Sequence, residues 1–180
     1  MGLALGRRRG QLTAGGVRAT ADRPGDVESF TSWARPHLVA MSRLAARLSP
    51  RGDGDDVVQE ALTAAWRKWH SYDPARGSAQ SWLLAVVADQ AGKARRRIRP
   101  VVDLVDGAHR DHHADVDLER AIAALAALAA RQRLAVALYY FLDLPVAEVA
   151  VVMSCSVGTV KATLSQARLR LRRSLGEDLS

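Results

Sequence analysis

The chain has 180 residues, of which 48% are hydrophobic but only 5% aromatic, with one cysteine, a formal net charge of +7 and a pI near 10.4. That length holds one ordinary domain or two small ones. A single thiol excludes an internal disulfide framework and fits a reducing compartment, and no apolar run approaches the ~20 residues of a membrane span. Abundant Ala and Leu favour packed helices over sheet, and the excess of cations points to a polyanionic partner, either nucleic acid or an anionic surface.

Residues 1–25 are rich in Gly and Arg without periodicity and read as a disordered tail. Their Arg7-Arg8-Arg9 follows a short apolar stretch, the reverse of an export signal. Phe30, Trp33, His37, Met41, Leu44 and Leu48 then mark one face of a helix that Pro36 should kink. His37 on that face is a packed core residue rather than a ligand. The sequence Ser49-Pro50-Arg51-Gly52 breaks the chain.

A second helix runs from Asp55 to Trp69, with Val58, Leu62, Ala65 and Trp69 as its apolar stripe and Asp53 as a candidate cap. Asp56, Glu60, Thr63 and Arg67 lie opposite, so one face can build a core while the other offers carboxylates. The turn-rich loop Ser71 to Gly77 follows. A third helix begins near Ser78, buries Leu83, Val87, Ala91, Ala94 and Ile98, and ends on Lys93, Arg95, Arg96, Arg97 and Arg99. Five cations in seven residues exceed what a helix dipole requires, which suggests phosphate contact.

The segment 100–118 carries Asp103, Asp106, Asp111, Asp115 and Asp117 and a net charge of −4, against +4 for residues 26–99 and +3 for residues 119–180. It reads as an acidic linker. His109, Asp111, His112 and His113 have metal-ligand chemistry, but a short run of this composition is more often simply solvated, and neither a metal site nor a cofactor is expected. Beyond it, a helix through Leu128, a second from Arg131 to about Leu142 and a third from Val146 to Met153 lead into the turn Ser154-Cys155-Ser156. A long helix from Val157 to Leu175 follows. A short helix, tight turn and long helix make a helix-turn-helix whose last member enters the major groove. Ser156 is its N-cap. Val160, Leu164, Ala167, Leu171 and Leu175 should face inward, and Cys155 should be a small packer in the turn.

The run Asp55-Asp56-Val57-Val58-Gln59-Glu60-Ala61, with Ala65-Trp66-Arg67-Lys68-Trp69 after it, resembles the core-binding segment of the extracytoplasmic-function (ECF) class of sigma-70 factors. Ser81-Trp82-Leu83-Leu84 matches the same domain, although Asp89 stands where Asn is usual. Arg131-Gln132-Arg133, Glu148-Val149-Ala150 and Ser156-Val157-Gly158-Thr159-Val160-Lys161 resemble its −35-binding domain. There Ala129-Ala130 replace prolines, Ser154 replaces a turn glycine and Ala162-Thr163 replace Ser-Arg.

The resemblance implies an all-α protein of two small helical domains, region 2 over 26–99 and region 4 over 118–176, joined by a flexible linker over 100–117. The linker would thread toward the RNA exit path. The implied function is promoter-specific transcription initiation without covalent chemistry, in partnership with the RNA polymerase core and promoter DNA, in the cytoplasm and off the membrane. An anti-sigma factor is a further partner the resemblance allows. Asp55, Asp56, Gln59, Glu60 and Thr63 would meet the core. Trp69, Tyr72, Arg76, Trp82, Arg95, Arg96 and Arg97 would serve the −10 element, with a flipped base held by the loop 71–79. Ser156, Thr159, Lys161, Thr163, Gln166, Arg168 and Arg172 would serve the −35 element. The alternative is a free-standing helix-turn-helix regulator. An enzyme is the third reading, but the chain has no Gly-rich phosphate loop and no paired Cys sites.

Overall fold

The structure, a computed structural model, describes residues 27–49, 52–97 and 116–176, and all of its regular structure among these is helical. Residues 100–115 of the linker, with Asp103, Asp106, Asp111, Asp115 and the His109–His113 cluster, lie outside the described residues, whereas Val116 and Asp117, expected in the linker, already belong to a helix.

The N-terminal lobe begins with α1 (Val27–Ala34), one 3₁₀ turn (Arg35–His37) and α2 (Leu38–Leu48). The change of helix type falls on Pro36, where a missing N–H and a fixed ring forbid an unbroken helix, as the sequence predicts. α3 (Gly54–Lys68) and α4 (Ala79–Arg97) complete the lobe, and α2, α3 and α4 pack against one another in pairs. Met41, Leu44, Ala45, Val57, Ala61, Ala65, Leu83, Leu84 and Val87 form the dry centre.

The buried stripe of α3 differs from the one expected. Val57, Val58, Ala61 and Ala65 are buried, whereas Leu62 and Trp69 are half-buried. Small residues win the centre because α3 lies close to α2: a Cβ on Gly54 would sit 3.3 Å from the Ala46 backbone nitrogen. Asp53 occupies the N-cap position, but its side chain makes no capping bond, and its buried Oδ1 has no hydrogen-bond partner among the described residues. The capping role expected of it is therefore not realised. Along α4, Leu83, Val87 and Ala91 are buried as expected, Ala94 is half-buried, and Ile98 lies outside the described residues.

The C-terminal lobe comprises α5 (Val116–Ala126), α6 (Ala130–Val136), α7 (Val146–Val152) and α8 (Val157–Gly176). After α6 the chain widens into one π turn, Ala137–Phe141, in which the Leu142 N–H donates to the Ala137 carbonyl at 3.1 Å. Arg133 reaches back to donate to the carbonyls of Ala126 and Leu128, closing the end of α5. α7 and α8 meet at 98° across the turn, within the range of a helix-turn-helix. Val160, Leu164 and Ala167 are buried and Leu171 half-buried, but Leu175 is 38% exposed, contrary to the inward position expected. At about 1.5 Å per residue α8 is roughly 30 Å long and outruns the shorter helices it packs on. Cys155 is half-buried against the core, as a packing residue.

Ser154 holds φ at +49°, the left-handed conformation that its side chain disfavours by about 1–2 kcal/mol. Ser154→Gly should therefore stabilise the protein by about 0.5–1 kcal/mol after the added freedom of the unfolded chain is subtracted. Thermal unfolding monitored at 222 nm checks this, with an expected rise in midpoint. A fall would mean that the turn depends on the serine side chain.

The two lobes are not independent bodies here. α7 lies along α4. A Cβ on Gly77 would approach Val151 Cγ1 to 2.9 Å, and φ at Gly77 is +152°, so both space and backbone call for glycine. The Arg47 guanidinium stands 4.1 Å from the centroid of the Phe141 ring, a cation–π contact between lobes.

Candidate functional site

Three surfaces carry the residues singled out by sequence. The first is the outer face of α3. Asp55, Asp56, Gln59, Glu60 and Thr63 are all exposed there, because the opposite face is spent on the core. Glu60 Oε1 accepts from Arg97 Nη1 at 3.0 Å. Both side chains are largely in solvent, so the pair is worth at most about 1 kcal/mol and yields readily to a stronger partner.

The second surface is the loop between α3 and α4 with its aromatic wall. Trp33 stands at the centre of the wall, with ring centroids 5.2 Å from Tyr72, 5.8 Å from Trp69 and 5.9 Å from Trp82. Phe30 closes the far side, edge-on to Trp66 at 5.3 Å and to Trp69 at 5.5 Å. Trp69, Tyr72 and Trp82 are thus brought together and half-buried, each leaving part of its surface to solvent. Sequence reasoning gave Trp33 to the core stripe and missed its place in this wall. The available signal was its position three residues after Phe30 and three before Pro36, which sets it at the kink beside the loop.

Internal bonds fix the loop. Asp73 Oδ1 accepts from the Ala75 N–H at 2.9 Å, Ser71 Oγ donates to the Lys68 carbonyl at 2.6 Å, and Tyr72 Oη donates to the Gly77 carbonyl at 3.3 Å. Arg76 is exposed at its tip. At the other end of α4, Arg95, Arg96 and Arg97 are exposed. Asp89, the acid that departs from the family pattern, pairs with Lys93 one turn on at 2.7 Å. That pairing offsets its charge locally and leaves the arginines to set the potential.

The third surface is the start and outer flank of α8. Ser156 Oγ accepts from the Thr159 N–H at 3.1 Å, the N-cap expected from sequence, and lies 2.9 Å from Thr159 Oγ1. Thr163 is half-buried, and its hydroxyl donates to the Thr159 carbonyl at 2.8 Å, turned back onto its own helix. Lys161, Gln166, Arg168 and Arg172 are exposed. Arg133 belongs to a different environment. Burial, and secondarily the charge of Arg95 on the other lobe, push its pKa below the usual guanidinium value. Its Nε is buried without a hydrogen-bond partner among the described residues.

The Sigma-70 region 2 family model matches residues 33–100 and the Sigma-70, region 4 model matches residues 118–171. The ECF RNA polymerase sigma factor SigC of Mycobacterium tuberculosis is 36% identical over 137 residues, covering 70% of this chain and 72% of the relative. The RNA polymerase sigma-E factor of Streptomyces coelicolor is 29% identical over 157 residues, covering 84% and 88%. Among solved structures, the sigma factor RpoE of Bartonella quintana, in complex with the anti-sigma factor NepR, superposes with a TM-score of 0.65 at 28% identity. That match covers 83% of this chain and 98% of the other. CnrH, in complex with the cytosolic domain of CnrY, gives a TM-score of 0.64 at 26% identity over 86% and 92%.

With two helical lobes, a carboxylate-bearing helix and a basic helix-turn-helix in this order, the chain belongs to the sigma-70 family of RNA polymerase sigma factors, in its ECF group. It is a transcription initiation factor rather than an enzyme, and a free-standing regulator would leave the region 2 match unexplained.

Proposed function

We propose that the three surfaces divide the work of initiation. The face of α3 bearing Asp55, Asp56, Gln59, Glu60 and Thr63 docks on the polymerase core. The loop 71–79, with Trp69, Tyr72, Arg76 and Trp82, takes the −10 element, and Arg95, Arg96 and Arg97 hold its phosphates. α8 takes the −35 element through Lys161, Gln166, Arg168 and Arg172, while Ser156, Thr159 and Thr163 shape the start of that helix. On this reading residues 26–99 and 118–176 are the two functional units, 100–117 is the strap between them, and the protein works in the cytoplasm.

The observation that supports the division best is that α3 spends its small-residue face on the core and leaves its acids unburied. An unstacked base loses its neighbours and needs an apolar, shaped surface to compensate, which the Trp33–Trp69–Tyr72–Trp82 wall offers. An anti-sigma factor is a natural further partner, since one structural neighbour was solved with the anti-sigma factor NepR and the other with the cytosolic domain of CnrY. Mixing the full chain with core polymerase tests the reading: a co-eluting complex that initiates at a promoter is expected. Failure to form that complex would return α3 to a purely structural role.

A further inference from the structure

Where the lobes meet, a carboxylate sits in a position that its own lobe does nothing to explain. Glu148 extends from α7 to the first turn of α4, 67 to 70 residues away in sequence. Its Oε2 accepts from Ser81 Oγ at 2.8 Å and from Ser78 Oγ at 3.2 Å. Ser81 is fully buried, an unusual place for a hydroxyl unless it has a fixed partner. The two serines are also held to each other, with Oγ atoms 2.7 Å apart and the Ser81 N–H donating to Ser78 Oγ at 3.1 Å. The carboxylate thus lies at the N-terminus of a 19-residue helix, where the backbone dipole favours negative charge. Built hydroxyls and a seated anion together describe an anion site. The site opens directly from the loop 71–79, and exposed Arg76 is close by in sequence.

We infer that Ser78 and Ser81 form a phosphate-binding site at the start of α4, which the Glu148 carboxylate fills while the lobes are closed and a phosphodiester of single-stranded DNA fills when they part. The inference rests on the −10 assignment of the neighbouring loop. Glu148 and a DNA phosphate present the same chemistry to the hydroxyls, a singly charged group with acceptor oxygens, and so exclude each other. Closure is opposed by the like charges of Arg95 and Arg133 across the lobes. It is assisted by Val151 against Gly77 and by Arg47 on Phe141. The base-facing side of α8 stays exposed in the closed form, so closure masks the −10 side alone.

The test uses the full chain without polymerase and a fluorescein-labelled, mixed-sequence single-stranded DNA 12-mer, read by anisotropy. Glu148→Ala should bind it about tenfold more tightly than the unsubstituted protein. Adding Ser78→Ala and Ser81→Ala to E148A should bring the affinity back to within about twofold of the starting value. Should E148A bind no more tightly, nothing is being masked and the inference fails. It fails equally if the triple variant binds as tightly as E148A, since the hydroxyls would then hold no phosphate. Circular dichroism reports whether each variant folds. If Ser81→Ala does not, E148A combined with Ser78→Ala alone should lose about threefold relative to E148A, and an unchanged affinity would overturn the site. Core polymerase takes no part in this assay, so its outcome stands apart from the co-elution test of the sigma-factor assignment of α3.

Discussion

Reversing Asp56 and Glu60 to lysine should reduce affinity for core polymerase by roughly 100-fold, about 2–3 kcal/mol, while the far-ultraviolet spectrum stays unchanged. Both side chains are exposed on α3 and neither contributes to the dry centre of the lobe, so the fold has little to lose. The two positions differ in one respect. Glu60 is engaged by Arg97, so its reversal also sets two cations facing one another, whereas no ion pair or hydrogen bond to another side chain is seen for Asp56 among the described residues. Asp56→Lys is therefore the cleaner single test, with an expected loss near tenfold. Size-exclusion co-elution or surface binding against core polymerase would read it. Full affinity in a folded double variant would remove this face from the polymerase interface.

Replacing Lys161 and Arg168 by alanine should weaken promoter binding by the holoenzyme tenfold or more, and should lower the slope of log affinity against log salt by about 2. The two cations stand exposed on one flank of α8, and each phosphate they neutralise releases condensed counterions. Core association should persist, because α3 is untouched. Footprinting with and without core completes the experiment. The free chain should protect no site tightly at physiological salt, since its few cations and its closed lobes both limit it, whereas core polymerase would hold both lobes at fixed spacing and make the second contact intramolecular. Tight, specific protection by the free chain would contradict that division of labour.

Much of this architecture was legible from periodicity. The kink at Pro36, the helix-turn-helix, the Ser156 cap and the outward acids of α3 all follow from local rules acting within a few residues. What escaped the sequence depends on distance along the chain. Ser78, Ser81 and Glu148 look like helix-start residues, and nothing in their spacing announces that α7 lies on α4. The stripe of α3 was misjudged because hydrophobicity favours Leu62 and Trp69, whereas close helix contact selects Val57 and Ala61 by size. Asp53 shows the limit of cap rules: the right residue type stands at the right position, yet its side chain makes no capping bond. Leu175 keeps the helical period but lies beyond the reach of the helices that would cover it.

The aromatic wall has a spectroscopic consequence. All four tryptophans of the chain, Trp33, Trp66, Trp69 and Trp82, lie within this one cluster of the N-terminal lobe, and the C-terminal lobe has only Tyr139 and Tyr140 beside Phe141. Excitation at 295 nm therefore illuminates one lobe and leaves the other dark. Melting of the N-terminal lobe can be followed by its indole emission while total helicity tracks both, so a gap between the two curves measures how far the lobes unfold separately. A nucleobase stacking on the wall would quench the same emission, giving a label-free optical signal from the surface where strand opening would begin.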